Sequence, residues 1–229
     1  MAKILFVLTG ADHWTLNDGS KHPTGFWAEE FVAPYEAFTQ AGHEIVVASP
    51  GAVVPTVDQG SLSADANGGQ EAADRIAAVL DKATELKNPI DLATVNLDDY
   101  DAVFYPGGHG PMEDLAVNDD SARVLTGALS SGKPLAVVCH GPAALLATEG
   151  SGDSPFRGYE VTAFTNAEET QAGLADKAPW LLQDRLNALG VTFKEGPAWA
   201  PNVVVDRNLH TGQNPASSGP LARRFLESL

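Results

Sequence analysis

The 229-residue sequence is 44% hydrophobic and 19% charged, which supplies a sizeable core and excludes a disordered or fibrous chain. Fourteen basic against thirty acidic residues leave a formal charge of -16, so neither nucleic acid nor a membrane surface is an expected partner. A single cysteine excludes an intrachain disulfide and a cysteine-based zinc cage.

Residues 4–8 form an apolar run closed by Thr9-Gly10, too short to span a bilayer and lacking a signal-cleavage pattern. The run predicts a buried first strand, with cytoplasmic residence as the default. Similar runs at 45–48, 102–105 and 135–138 alternate with helical stretches at 26–40, 71–87 and 121–129. This alternation predicts a single α/β domain over 1–229: a doubly wound, mainly parallel sheet flanked by helices, with ligands beyond the carboxyl ends of its strands. Two segments interrupt it, 11–24, rich in polar and aromatic residues, and 51–69, rich in glycine, serine and proline; they are expected as small cap insertions or site walls. Residues 179–189 predict an amphipathic helix with Pro179 in its first turn and Gly190 as its stop. A hairpin of 203–206 and 209–211 around Arg207-Asn208, then a helical 215–229, close the chain.

Chemistry concentrates where the fourth apolar run ends. Val138 is followed by Cys139-His140-Gly141-Pro142, a pattern that resembles a nucleophile elbow, in which a tight turn lifts one side chain above the sheet. A lone cysteine is more often a core residue, but Cys139 stands at the end of its strand rather than within it, and a histidine follows at once. Amide dipoles of a following helix would favour the thiolate, so a depressed thiol pKa is expected. His140 reads either as a turn residue or as the proton carrier of the thiol. After the third run, Tyr105-Pro106-Gly107-Gly108-His109-Gly110 offers glycines that can turn backbone amides inward, as an oxyanion hole requires.

These residues resemble the ThiJ/PfpI superfamily, in its branch of glyoxalase III enzymes and heat-shock holdase chaperones. The resemblance covers nearly the whole chain. It rests on Asp18-Gly19 with Thr24-Gly25-Phe26-Trp27-Ala28-Glu29-Glu30, on the glycine turn and the elbow, on Phe164-Thr165 with Glu168-Glu169-Thr170, and on Thr211-Gly212-Gln213-Asn214-Pro215-Ala216-Ser217. It implies a flavodoxin-like, class I glutamine amidotransferase-like fold. It also implies a glutamate four residues before Pro34, which is Glu30 rather than Glu29, against the sulfur and partly protonated. Glu169 resembles the acidic partner that orients the histidine, with Glu168 the adjacent alternative. The amides of Gly108 and His140 are implied as the oxyanion pocket, with 214–217 nearby. Where glutamine amidotransferases carry glycine two positions before the cysteine, Val137 stands here; the late His210 is followed by Thr211 and Gly212 rather than by their glutamate, which argues against glutaminase activity.

The resemblance implies glutathione-independent conversion of methylglyoxal, or other small 2-oxoaldehydes, to 2-hydroxy acids through Cys139, His140, Glu30 and Glu169. A holdase chaperone and a protein deglycase using the same cysteine stand beside it. No redox cofactor is expected, since oxidation and reduction occur within one substrate. No metal is expected either: His13, His22, His43, His109, His140 and His210 show no ligand spacing. Relatives imply a homodimer.

Overall fold

A computed structural model describes residues 1–150 and 152–229. In chain order the strands are β1 (Lys3–Val7), β2 (His13–Thr15), β3 (Lys21–Pro23), β4 (Glu44–Ser49), β5 (Ile90–Asp91), β6 (Ala102–Tyr105), β7 (Leu135–Val138), β8 (Glu160–Val161), β9 (Thr192–Phe193), β10 (Val203–Asp206) and β11 (Leu209–Gly212). The principal helices are α1 (Ala28–Gln40), α2 (Gln70–Lys82), α3 (Asp119–Ser131), α4 (Asn166–Gln171), α5 (Leu182–Leu189) and α6 (Ser218–Leu226).

Seven strands form one sheet in the order β10-β11-β7-β6-β1-β4-β5, parallel except where β10 runs against β11. The expected doubly wound, flavodoxin-like fold is therefore present. Its central strands are apolar on every residue because both faces are covered: β6 and β7 are buried throughout. Strand alternation sorts the covering helices. Phe104 lies against Phe38 of α1 and Phe225 of α6, while the next residue, Tyr105, places its hydroxyl 3.1 Å from Ser121 Oγ of α3. Phe6 joins the first of these clusters, stacked 5.0 Å from Phe104 and edge-on to Phe31 and Phe38.

Several boundaries shift for local reasons. The helix expected over 26–40 begins at Ala28, because Phe26 is extended and bridges to Val57. That expected over 71–87 breaks at Ala83, whose ψ of 92 is not helical, into α2 and a turn at Thr84–Lys87. Pro179 precedes α5 rather than opening it, whereas Gly190, at φ 94, stops it as expected. The hairpin at 203–212 docks through β11 onto β7, widening the main sheet. Residues 11–24 form the small β2–β3 hairpin.

Strand order runs outward from β1 on one side and from β6 on the other, so the chain reverses direction between them. Loops leaving the carboxyl ends of such strands diverge and leave a crevice. The 106–110 glycine turn and Cys139 both stand at that end. Among the described residues no helix is long and apolar enough to cross a membrane.

Candidate active site

Cys139 sits at φ 59, in the left-handed region that a non-glycine residue seldom enters. Two backbone bonds hold it there: its N–H donates to the Gly212 carbonyl at 2.9 Å, and its carbonyl accepts from Phe164 N–H at 3.0 Å. The chain then turns into a 3-10 segment, Gly141–Glu149, with Pro142 in its first turn. This is the elbow expected from the sequence, with the sulfur lifted off the end of β7.

The glycine turn packs directly against it. A Cβ on Gly107 would lie 2.7 Å from both Glu30 Oε2 and the His140 nitrogen, and Gly108, at φ 88, would drive a Cβ to 2.6 Å from the Trp27 nitrogen. Only glycine allows this approach. Neither the Gly108 nor the His140 amide donates to a backbone carbonyl among the described residues.

Glu30, in the first turn of α1, is fully buried beneath the sulfur. Oε2 accepts from Gly107 N–H at 2.7 Å, and Oε1 has no hydrogen-bond partner among the described residues. Burial pushes this carboxyl up to about 8, against the pull of the Cys139 thiol and the Gly107 N–H. Glu29 points elsewhere, with Arg75 Nη2 3.5 Å from its carboxylate.

On the opposite side His140 Nδ1 lies 3.4 Å from Sγ, while Nε2 donates to Glu169 Oε2 at 2.7 Å. That bond selects the tautomer with a free lone pair on Nδ1, facing the thiol. Burial, helped by the neighbouring His109, pulls the imidazole down to about 4, so it is neutral near pH 7. Glu168 does not reach His140. Its Oε2 accepts from the Thr165 N–H and hydroxyl, its Oε1 from the Trp199 N–H and the Asn214 amide, so it ties α4 to the 195–217 segment. A capping box joins Thr165 to Glu168 three residues on, which fixes Glu168 at the start of α4 and separates the two glutamates.

The thiol departs from expectation. Burial pushes Cys139 well above its ordinary value, and the Glu30 carboxyl beside it adds to the rise, with Gly108 N–H opposing. Cys139 is 3% exposed, and a 3-10 segment stands where an α-helix dipole was expected. Desolvation of an anion outweighs the few aligned amides.

One residue of the constellation was read only as part of a turn. His109 Nε2 donates to the second oxygen of Glu169 at 2.8 Å, and its ring lies 4.0 Å from that of His140 and stacks 5.1 Å from Trp14 of β2. A histidine directly after paired glycines at a strand end was the available signal. His109, His140 and Glu169 bring ligand-type atoms within 4.8 Å of one another, the one group among the described residues able to hold a metal ion. Sequence spacing does not reveal this group, because its members lie on three different elements. Above the sulfur is a cavity of about 80 Å3 walled by Trp27, His109, Phe164, Trp199 and Pro215. Pro215 brings the expected 214–217 segment to the site.

An elbow cysteine at the carboxyl end of a parallel strand, beside a buried glutamate and a histidine–glutamate pair, defines a class of flavodoxin-like α/β proteins with a cysteine at the strand-end elbow. Within it, the chain belongs to the DJ-1/PfpI family, whose model matches residues 23–228. It is similar to glyoxalase 3 of Candida albicans, 31% identical over 95% of this chain and 94% of that protein. The crystal structure of that organism's glyoxalase III superposes with a TM-score of 0.85, covering 100% of this chain and 97% of the other. The glutathione-independent glyoxalase HSP31 of Saccharomyces cerevisiae is 29% identical over 99% of this chain and 98% of its own length. Protein/nucleic acid deglycase HchA of Pseudomonas aeruginosa is 28% identical over 99% of this chain and 80% of its own.

Proposed function

We propose that this protein is a glutathione-independent glyoxalase that converts methylglyoxal to lactate with Cys139 as nucleophile. The observation that carries the reading is the position of the sulfur between two proton-handling groups, Glu30 held near pKa 8 and neutral His140, at the floor of a small apolar cavity. Similarity to glyoxalases from two yeasts supports it.

The chemistry balances within one substrate. Sγ adds to the aldehyde carbon as His140 Nδ1 takes the thiol proton, and the new oxyanion lies at the amides of Gly108 and His140 before it is protonated to a hemithioacetal. Glu30, which exchanges a proton near neutral pH, removes the hydrogen from the former aldehyde carbon in its ionised form. It returns a proton to the neighbouring carbon through an enediol, leaving a thioester. Water then cleaves the thioester to lactate and restores the thiol. Glu169, held ionised, keeps His140 in the tautomer this needs. No external electron acceptor enters the balance.

The reading takes 1–229 as one domain, working in the cytoplasm as a homodimer on a small 2-oxoaldehyde; the acidic surface argues against nucleic acid. A mass measurement in solution checks the dimer. Deglycation is the second reading, favoured by similarity to HchA, and would use the same cysteine. Incubation with methylglyoxal in the absence of glutathione, following aldehyde and lactate together, tests the proposal. Stoichiometric conversion to lactate is expected; aldehyde loss without lactate would mean simple trapping by the thiol.

A further inference from the structure

The wall of the cavity holds a residue whose backbone and side chain make opposite demands. Pro197, Ala198, Trp199 and Ala200 form a tight turn closed by Ala200 N–H donating to the Pro197 carbonyl at 3.1 Å. Trp199 is the third residue of that turn and has φ 62. Glycine or asparagine normally fills a left-handed third position, because a side chain there crowds the backbone. A bulky indole in such a place points to a use for the indole itself.

The side chain is firmly tethered. The Trp199 N–H donates to Glu168 Oε1 at 2.8 Å and the indole Nε1–H to Gln171 Oε1 at 2.6 Å, so both ends of the residue hang from α4. Its ring meets Phe164 edge-on at 5.5 Å, and Phe164 in turn lies 4.4 Å from the His140 ring. Trp199 is 45% exposed, so one face looks to solvent while the other closes the cavity over Cys139. The cavity is about 80 Å3, roughly half of the ~150 Å3 of an apolar cavity that accepts benzene.

We propose that Trp199 determines substrate size: it closes the mouth of the cavity and restricts the site to 2-oxoaldehydes bearing hydrogen or a methyl group, excluding aryl substituents. The proposal rests on the glyoxalase reading and adds a substrate class to it. Trp199→Gly removes the indole and suits the left-handed backbone; Trp199→Phe keeps a ring; Gln171→Leu frees the indole without altering its own turn.

The test is to measure kcat/KM for methylglyoxal and for phenylglyoxal, without glutathione, in the wild type and the three variants. The wild type should prefer methylglyoxal by roughly a hundredfold, in the range that pocket size can supply. Trp199→Gly should raise the phenylglyoxal-to-methylglyoxal ratio at least ~tenfold, Gln171→Leu should move it less in the same direction, and Trp199→Phe should retain the wild-type preference. A ratio unmoved in both Trp199→Gly and Gln171→Leu overturns the gate while the glyoxalase reading stands. A ratio that moves as far in Trp199→Phe as in Trp199→Gly also overturns it. Absence of turnover of either aldehyde by the wild type overturns the glyoxalase reading and takes this proposal with it.

Discussion

Glu30 and Glu169 are both buried in the site, the first beside Cys139 and the second behind His140, yet one is a largely neutral acid near pH 7 and the other a fixed anion. Glu30 has one amide donor and the thiol for company, and burial carries it up to about 8. Burial also works to raise Glu169, but the two imidazoles at 2.7 and 2.8 Å outweigh it and hold the carboxyl well below the usual carboxylate range. Depth alone therefore does not set the charge of a carboxyl. The number and kind of donors on its oxygens do, and two glutamates in one site take different tasks because the 106–110 turn offers Glu30 a single amide donor, whereas His109 and His140, at the ends of two strands, offer Glu169 a pair.

Removing the sulfur beside Glu30 is the severest break. Cys139→Ala should abolish lactate formation, since no neighbouring group can form the covalent intermediate, while denaturation should show a loss of only about 1 kcal/mol. Aggregation suppression, if it occurred, would survive this change, so assaying both activities on the variant separates enzyme from holdase. Glu30→Gln comes next: kcat should fall by on the order of a hundredfold, with Glu29→Gln, whose carboxylate faces Arg75, close to wild type. Equal losses in the two would put the proton carrier elsewhere.

The Glu169 side is probed through His109, a residue positioned to act on that carboxylate. His109→Leu strips one of its two donors, so its pKa should rise, the acid limb of kcat/KM should move to higher pH, and activity should drop about tenfold. His109→Gln, which restores an N–H, should recover part of both. A loss without movement of the acid limb would mark the histidine as mere packing.

The mildest effect is on stability. Glu30 is raised in the folded state, so its contribution is complete below the unfolded value near 4.5 and is lost as pH rises through about 8. Thermal melts should lose about 1 kcal/mol between roughly pH 7 and 9, a fall of about 2–4 °C, and Glu30→Gln should remove that slope. His140 has the reverse sign: lowered to about 4, it should cost stability as pH falls from about 6.5 to about 4.

Much of this was legible along the chain. The apolar runs at 102–105 and 135–138 fall on β6 and β7 residue for residue, because a strand covered on both faces imposes a continuous apolar stretch. The elbow and the Arg207-Asn208 hairpin follow from local turn chemistry, whereas Glu30 was picked out of the Glu-Glu pair by the family resemblance, through its offset from Pro34; successive helical residues face different directions, and Glu30 is the buried one. Tertiary structure alone decided the rest. His109 and His140 converge on one carboxylate from the ends of two strands, and Trp199 reaches the cavity from a turn far along the chain. The direction of the thiol pKa was lost to sequence reasoning for the same reason: an elbow is made by a few consecutive residues, but the water around its sulfur is displaced by α1, the 106–110 turn and the Trp199 turn together. Periodicity and turn preference are written in neighbouring residues, whereas desolvation and shared hydrogen bonds depend on which distant segments the folded sheet brings to the same strand ends.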